Sequence, residues 1–278
     1  MPAYRSLDPC PLGDQTIDER TDVRWGVKMK AAFITGSSKG IGAATARLFR
    51  KEGYFVFLHG RNIKDLEALE KELGQKDSIL AGDMANPEEI DNICKSLEDR
   101  VKFQSMKLQA LVNNAGLFHR QKATDQRADY WESQFRVNIL GPARMTERLI
   151  PLLSQGSPAS IINIATTLGM RPAVGTSAYG ASKAAMIHWT SSLAVELAPL
   201  GIRVNCICPG LVDTPIHAFH TLPADEKEKV KADLKDLQPL GRIGEASEIA
   251  DSIFFLASQK SKWTTGAVLA VDGGINLK

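Results

Sequence analysis

From Lys30 onward, short uninterrupted apolar runs alternate with longer stretches in which apolar residues recur every three or four positions. The runs are AAFIT (31–35), YFVFLH (54–59), SILAG (78–82), ALVNN (110–114), SIINIA (160–165), RVNCIC (203–208) and AVLAV (267–271), and they predict strands. Between them ALEKELG, PEEIDNICKSLEDR, ARMTERLIPLL and SEIADSIFFLA carry the helical period. Strands that are apolar throughout, separated by helices, belong in a parallel sheet covered on both faces. The expected fold is therefore α/β, a doubly wound seven-stranded parallel sheet in a single domain.

The alternation breaks down twice. Residues 1–28 are polar, contain three prolines and hold no sustained period, so a flexible N-terminal extension is expected ahead of a domain over 29–278. After the sixth run, LVDTPIHAFHTLPADEKEKVKADLKDLQPLG (211–241) replaces a short connection. Long insertions beyond a strand's carboxyl end cover ligands in such sheets, which predicts a substrate-covering loop. Its charged run EKEKVKADLK reads as the solvated face of a short helix.

Composition changes the picture mainly by exclusion. The 278 residues are 44% hydrophobic and 24% charged with a net charge of +2, which gives no electrostatic case for nucleic acid or an anionic membrane surface. No apolar run approaches the roughly 18 residues of a membrane span. Cys10, Cys94, Cys206 and Cys208 form no Cys-x-x-Cys pair, and His59, His119, His188, His217 and His220 show no metal-ligand spacing. No metal and a reducing, cytoplasmic setting are expected. Cys206 and Cys208, two apart on a strand, should face one side as buried free thiols.

The chemistry begins with TGSSKGIG (35–42), between the first strand and the helical run AATARLFRKEG. Gly36 permits a tight turn, Gly40 close backbone approach to a ligand, and Gly42 packing of helix on strand. With Ser38, Lys39 and Ile41 the loop presents N–H groups and a helix N-terminus to a pyrophosphate, so a dinucleotide is expected. The second strand ends in HGRN, with Gly60 and Arg61 where an acidic residue would hold an unphosphorylated ribose. Arg61 and Lys39 can bind a 2′-phosphate, favouring NADP(H) over NAD(H). Asp83, followed by Met84 in GDMAN, is placed to accept from the adenine amino group; an Asx turn or a helix cap into PEEI is compatible with that. In SAYGASKA (177–184), Tyr179 and Lys183 stand four apart, on one helix face with Cβ atoms roughly 6 Å from each other.

With TGSSKGIG, NNAG (113–116), VN (137–138), YGASK (179–183), PG (209–210) and TGAVLAVDGG (265–274) in this order, the chain resembles the short-chain dehydrogenase/reductase superfamily over roughly 29–276. The resemblance implies a Rossmann-fold oxidoreductase, usually a homotetramer or homodimer, with a proton relay of Asn, Ser, Tyr and Lys. Asn138, Tyr179 and Lys183 match directly. The serine position falls on Thr166, with Thr167 the neighbouring candidate; threonine keeps the hydroxyl, but its methyl group restricts χ1 beside the substrate. In the relay thus implied, Lys183 and a cationic nicotinamide lower the phenol's pKa from about 10, and Tyr179 gives a proton to a carbonyl or takes one from an alcohol. Asn138 would hold a water next to Lys183, and Lys183 would also bind the nicotinamide ribose. Asn114, Ala115 and Gly116 would shape the cofactor wall with Pro209 and Gly210, Asn113 would bridge strands or join that wall, and Thr214 would bond the carboxamide or form a turn.

The activity implied is NADP(H)-dependent interconversion of a carbonyl and a secondary alcohol on a small organic substrate. PLGRIGEASEIAD resembles the 3-oxoacyl carrier-protein reductases, although LFHRQK after NNAG lacks their Thr-Arg-Asp pattern. A dinucleotide-binding sensor or scaffold without turnover is the non-enzymatic alternative, motivated by the threonine.

Overall fold

Apolar runs that alternate with helices do form one parallel sheet in the computed structural model, which describes residues 28–217 and 237–278. The expected N-terminal extension, and 218–236 of the long loop with its charged run and His220, lie outside the described residues. The strands are β1 (Lys30–Ile34), β2 (Phe55–Gly60), β3 (Ile79–Ala81), β4 (Lys107–Asn113), β5 (Ala159–Ile164), β6 (Ile202–Pro209) and β7 (Val268–Val271). They run β3-β2-β1-β4-β5-β6-β7 across the sheet, each neighbouring pair parallel. Most ends shift by one residue from the apolar runs. β4 starts at Lys107, three residues before ALVNN, because Lys107 and Gln109 are half-buried on either side of buried Leu108 and break the apolar signal.

Seven α-helices stand among the described residues: α1 (Gly40–Lys51), α2 (Ile63–Glu72), α3 (Pro87–Phe103), α4 (Ala128–Phe135), α5 (Gly141–Gln155), α6 (Ser177–Leu197) and α7 (Ala246–Ala257). One core joins Phe33, Phe57 and Leu108 of the sheet to Leu97 of α3, Met145 of α5 and Leu193 of α6. The opposite core joins Ile34, Leu58 and Val112 to Phe49 of α1, Leu66 of α2 and Ile253 of α7. The connections thus wind to opposite faces on either side of the β1–β4 pair, and a crevice opens above the carboxyl ends of these strands. Side chains set the helix starts there: Asn62 accepts from Lys64 N–H and Asp65 N–H, and Asn86 accepts from Glu88 N–H and Glu89 N–H. Such caps stabilise by about 1 kcal/mol each.

The pattern ADYWESQFRVNILG predicts one unbroken helix, and here the structure differs. Residues Arg136–Leu140 form a π-helical turn between α4 and α5, and Asn138 is in it. Helix widening of this kind re-aims side chains. Immediately after it α5 presses on the β3–α3 loop, where a Cβ on Gly141 would lie 2.3 Å from the Met84 carbonyl oxygen. No helix among the described residues is long and apolar enough to cross a membrane.

Candidate functional site

The glycine turn is held by its neighbours on the sheet. Gly36 and Gly40 adopt φ of +63° and +54°, a region that L side chains rarely enter. Asn114, just past β4, donates from Nδ2 to the carbonyls of Thr35 (2.9 Å) and Gly36 (3.0 Å). Thr35 Oγ1 accepts from the N–H groups of Asn114 and Ala115, both at 3.0 Å. On the other side His59 Nδ1 accepts from Gly36 N–H at 3.3 Å, and His59 N–H donates to Ser37 Oγ at 2.9 Å. A Cβ on Gly42 would lie 2.2 Å from the Gly36 carbonyl oxygen, so α1 can begin against the turn only with glycine there.

Above this turn lies a cavity of about 730 Å³. Of the residues expected to hold a cofactor, Gly36, Ser38, Lys39, Gly40, Ile41, Arg61, Asp83, Met84, Asn114, Ala115, Gly116, Pro209, Gly210 and Thr214 line it. Thr166, Thr167, Tyr179 and Lys183 line the same cavity. Gly42 and Asn138 do not; Gly42 packs helix on turn, and Asn138 is fully buried beside the cavity. Asn113 is buried too, donating to Asn163 Oδ1 (2.8 Å) and Thr146 Oγ1 (3.2 Å), which bridges β4 to β5 and α5.

At the expected phosphate end each cation already faces a carboxylate. Lys39 Nζ is 2.9 Å from Asp65, and Arg61 Nη1 is 3.9 Å from Asp83. Asp83 also accepts from Ala85 N–H at 2.9 Å, an Asx turn, while the cap of α3 belongs to Asn86. Thr214 donates to the Val212 carbonyl at 3.3 Å, the turn bond, and its side chain approaches Gly40.

At the other end α6 presents Tyr179 and Lys183. Lys183 Nζ donates to the Ile164 carbonyl at 2.7 Å. Asn138 gives both amide hydrogens away, to Leu117 O (2.9 Å) and Ser182 Oγ (3.0 Å), and its Oδ1 accepts from Leu117 N–H at 2.8 Å. The side chain expected to hold a water therefore retains only acceptor capacity. A Cβ on Gly116 would meet Asn138 Oδ1 at 3.5 Å and Lys183 Nζ at 3.6 Å, so glycine leaves Lys183 open to the cavity. Thr166 Oγ1 accepts from Leu168 N–H and donates to the Pro209 carbonyl, both at 3.3 Å. The Phe118 ring lies 4.8 Å from that of Tyr179.

Burial raises the Tyr179 phenol above its ordinary value, and burial lowers Lys183 to about 8. Neither group gains from the other in the chain by itself; the lowering expected of the phenol counts on a cationic nicotinamide as well as Lys183. Desolvation disfavours any lone buried charge, and the lysine's nearest partner is the neutral Ile164 carbonyl. Cys206 and Cys208 are the buried free thiols expected, their Sγ atoms 4.0 Å apart.

A stability prediction follows from Lys183. Its pKa falls on folding, so between about pH 8 and about pH 10 the unfolded chain holds a proton that the folded chain has released, and stability rises with pH through that window. Tyr179, raised on folding, acts in the opposite sense above about pH 10. In thermal melts of the nucleotide-free protein the gap between wild type and Lys183→Met should shift in favour of wild type from pH 8 to pH 10. A gap independent of pH would contradict the buried, depressed lysine.

The cavity gathers residues that the sequence pattern did not single out. His59, Leu117, Phe118, Leu168, Ile216 and Ile275 line it from five separate segments. Only His59 carried a local signal, as a polar residue ending an apolar strand.

Comparison with known proteins places these features in context. The sequence model of the family described as enoyl-(acyl carrier protein) reductase matches residues 36–276. A 3-oxoacyl-[acyl-carrier-protein] reductase of Thermotoga maritima is 33% identical over 246 residues, 88% of this chain and 97% of that protein. A 2-dehydro-3-deoxy-D-gluconate 5-dehydrogenase of Bacillus subtilis is 33% identical over 252 residues, 90% of this chain and 96% of the relative. Among solved structures, L-sorbose reductase of Gluconobacter frateurii, complexed with NADPH and L-sorbose, superposes with a TM-score of 0.82 at 29% identity, covering 91% of this chain and 98% of the other. An NADPH-dependent reductase involved in bacilysin biosynthesis gives 0.81 at 25% identity over 90% of this chain and 98% of the other.

Proposed function

From membership of the short-chain dehydrogenase/reductase family, to which this chain belongs, we propose that it is an NADP(H)-dependent oxidoreductase interconverting a carbonyl and a secondary alcohol on a small organic substrate. The observation that carries this reading is the placement of Thr166, Tyr179 and Lys183 on one cavity with the glycine turn. The chain fits a dinucleotide: the turn approaches the cavity with glycine at 36 and 40, and Gly116 leaves Lys183 open to it. When bound, the nicotinamide supplies or accepts the hydride. Tyr179 then acts as acid in reduction, its O–H donating to the carbonyl oxygen, and as base in oxidation. Thr166 orients the same oxygen, rotating its hydroxyl away from the Pro209 carbonyl. Lys183, tethered to Ile164, keeps a positive charge beside the phenol, and Asn138 fixes the Leu117 segment and Ser182 of α6 around it.

NADP(H) preference rests on Arg61 and Lys39, and the two NADPH reductases of known structure support it. The paired Asp83 and Asp65 must then turn aside for a 2′-phosphate. Arg61→Ala should weaken NADPH about tenfold, the scale of a charge-assisted hydrogen bond, and leave NADH nearly unchanged. Fluorescence titration measures both, and equal losses would remove Arg61 from phosphate recognition.

The testing experiment is a titration with NADPH followed by a panel of ketones, aldehydes, sugars and acyl thioesters. Oxidation of NADPH by one class supports the reductase, and tight binding without turnover across the panel overturns it. The carrier-protein reductase among the relatives supports a second reading, reduction of a 3-oxoacyl thioester; turnover confined to acetoacetyl thioesters would select it. We place the enzyme in the cytoplasm as a homodimer or homotetramer. The apolar Val268 and Leu269, part-exposed on the last strand of the sheet, support self-association, which light scattering measures.

A further inference from the structure

Around Tyr179 the cavity is walled by apolar side chains from three separate segments, and each segment is tied down. The Phe118 ring lies 4.8 Å from that of Tyr179, and Leu117 before it has both its N–H and its carbonyl bonded to the Asn138 amide. Leu168 follows Thr166 in a short turn, its N–H donating to Thr166 Oγ1 at 3.3 Å. Helix α6 abuts that turn so closely that a Cβ on Gly180 would lie 2.7 Å from the Leu168 carbonyl oxygen. Ile275 comes from the turn Ile275–Leu277 after β7 and lines the same cavity as Phe118 and Leu168. Asp272 holds this last turn by accepting from the N–H groups of Gly274 (2.9 Å) and Asn276 (3.0 Å). Arg171 closes it from the other side: its backbone N–H donates to the Thr167 carbonyl at 2.9 Å, while Nη1 donates to the carbonyls of Ile275 and Lys278. One guanidinium thus joins the Thr166 segment to Ile275.

The charged groups nearby are engaged elsewhere. Among the described residues, Lys39, Arg61 and Lys183 are the Lys and Arg side chains that line the cavity. Lys39 and Arg61 face Asp65 and Asp83 past β1 and β2, whereas Thr166 lies past β5, which stands two strands from β1, or about 10 Å, in the sheet. Lys183 is fixed to the Ile164 carbonyl one helical turn from Tyr179, where its charge serves the phenol. Arg120 and Arg171, close in sequence to the apolar wall, do not line the cavity; they donate to the carbonyls of Val174 and of Ile275 and Lys278. A carboxylate or phosphate laid on this wall would be buried without a partner, whereas an apolar group gains by leaving water.

We infer that Phe118, Leu168 and Ile275 form an apolar subsite that selects an uncharged substrate with an aromatic or cycloaliphatic group beside its reacting carbonyl, and that Arg171 is the positioning residue that seats Ile275. The inference deepens the reductase reading and rests on it. Because hydrogen bonds hold all three segments, the wall is formed before substrate arrives, and its discrimination comes from shape and the lack of charge.

Three ketones that share one reacting centre test this on the wild-type protein: 4-phenylcyclohexanone, methyl 4-oxocyclohexanecarboxylate and the free 4-oxocyclohexanecarboxylate, each reduced with NADPH at neutral pH. The ester and the acid differ in charge on nearly the same shape. The carboxylate should fall below the ester by about 100-fold or more in kcat/KM, and the phenyl ketone should equal or exceed the ester. Equal rates for ester and carboxylate overturn the inference. With NADP⁺ in place of NADPH no hydride is available, and calorimetry then reads ketone binding alone, in the same order; a carboxylate that binds as well as the ester again overturns it. Phe118→Ala should raise KM for the phenyl ketone about tenfold and change the ester far less, since a pocket contact is lost only where a ring fills it. Equal falls in kcat for both would mean that Phe118 only supports Tyr179, and count against the subsite. Arg171→Met should raise KM for the phenyl ketone about tenfold with kcat within threefold, and Arg171→Lys should recover most of the loss; a fall in kcat alone, without recovery by lysine, removes the positioning role. Wild type that reduces none of the three ketones yet turns over another carbonyl of the panel overturns the subsite and leaves the reductase reading standing, whereas wild type that turns over no carbonyl defeats both.

Discussion

Tyr179→Phe is expected to cut kcat by about 10²–10⁴-fold, the range for losing a positioned general acid, with NADPH affinity changed less than threefold. The phenol oxygen is the single atom removed. Tyr179 is buried, its ring is held against Phe118, and no hydrogen bond of the fold depends on its hydroxyl among the described residues. Phenylalanine should therefore fill the same space without disturbing α6, and the melting temperature should hold. Stopped-flow reduction of the best substrate from the panel measures the chemical step directly. Activity within a factor of ten of wild type would remove the proposed proton transfer. A parallel loss of NADPH binding would show that the phenol serves the cofactor instead.

Gly42→Ala is expected to be as damaging by a different route. The added methyl carbon would lie 2.2 Å from the Gly36 carbonyl oxygen and 2.6 Å from Asn114 Nδ2, far inside contact distance. Helix α1 has Phe49 fixed in the core against Tyr54 and Phe254, so it cannot retreat as a rigid rod. The turn must move instead, and the Asn114 bonds to Thr35 and Gly36 must stretch. Overpacking at such a site costs about 1–3 kcal/mol in stability. Because the displaced atoms are those that would face a pyrophosphate, nucleotide affinity should fall at least tenfold as well. Chemical denaturation and NADPH titration read the two effects separately. A variant with wild-type stability and wild-type affinity would refute the packing account of this glycine.

These two positions show what was legible beforehand. Gly42 is legible from spacing alone, because a strand, a glycine-rich turn and a helix leave few ways for the chain to pass. Tyr179 and Lys183 are legible from helical spacing and a family resemblance, and both line the cavity. A histidine near the end of an apolar strand is legible as a residue, but that the His59 Nδ1 accepts from Gly36 N–H is a property of what surrounds it. The helical pattern puts Asn138 on a regular helix, whereas a π turn carries it, since the sequence RVNIL has nothing that marks the extra residue in the turn.

What the sequence by itself determined is the local and the periodic: seven strands, the helices between them, the two-faced burial, the glycine turn and the segment bearing Tyr179 and Lys183. These follow from side-chain period and backbone freedom, which neighbouring residues fix. The tertiary structure alone decided which loops meet over the β1–β4 crevice, that Lys39 and Arg61 each stand against a carboxylate, and that burial drives Tyr179 up and Lys183 down. Such properties depend on desolvation and on distances between residues far apart in the chain, and they come into being only when the sheet closes around them.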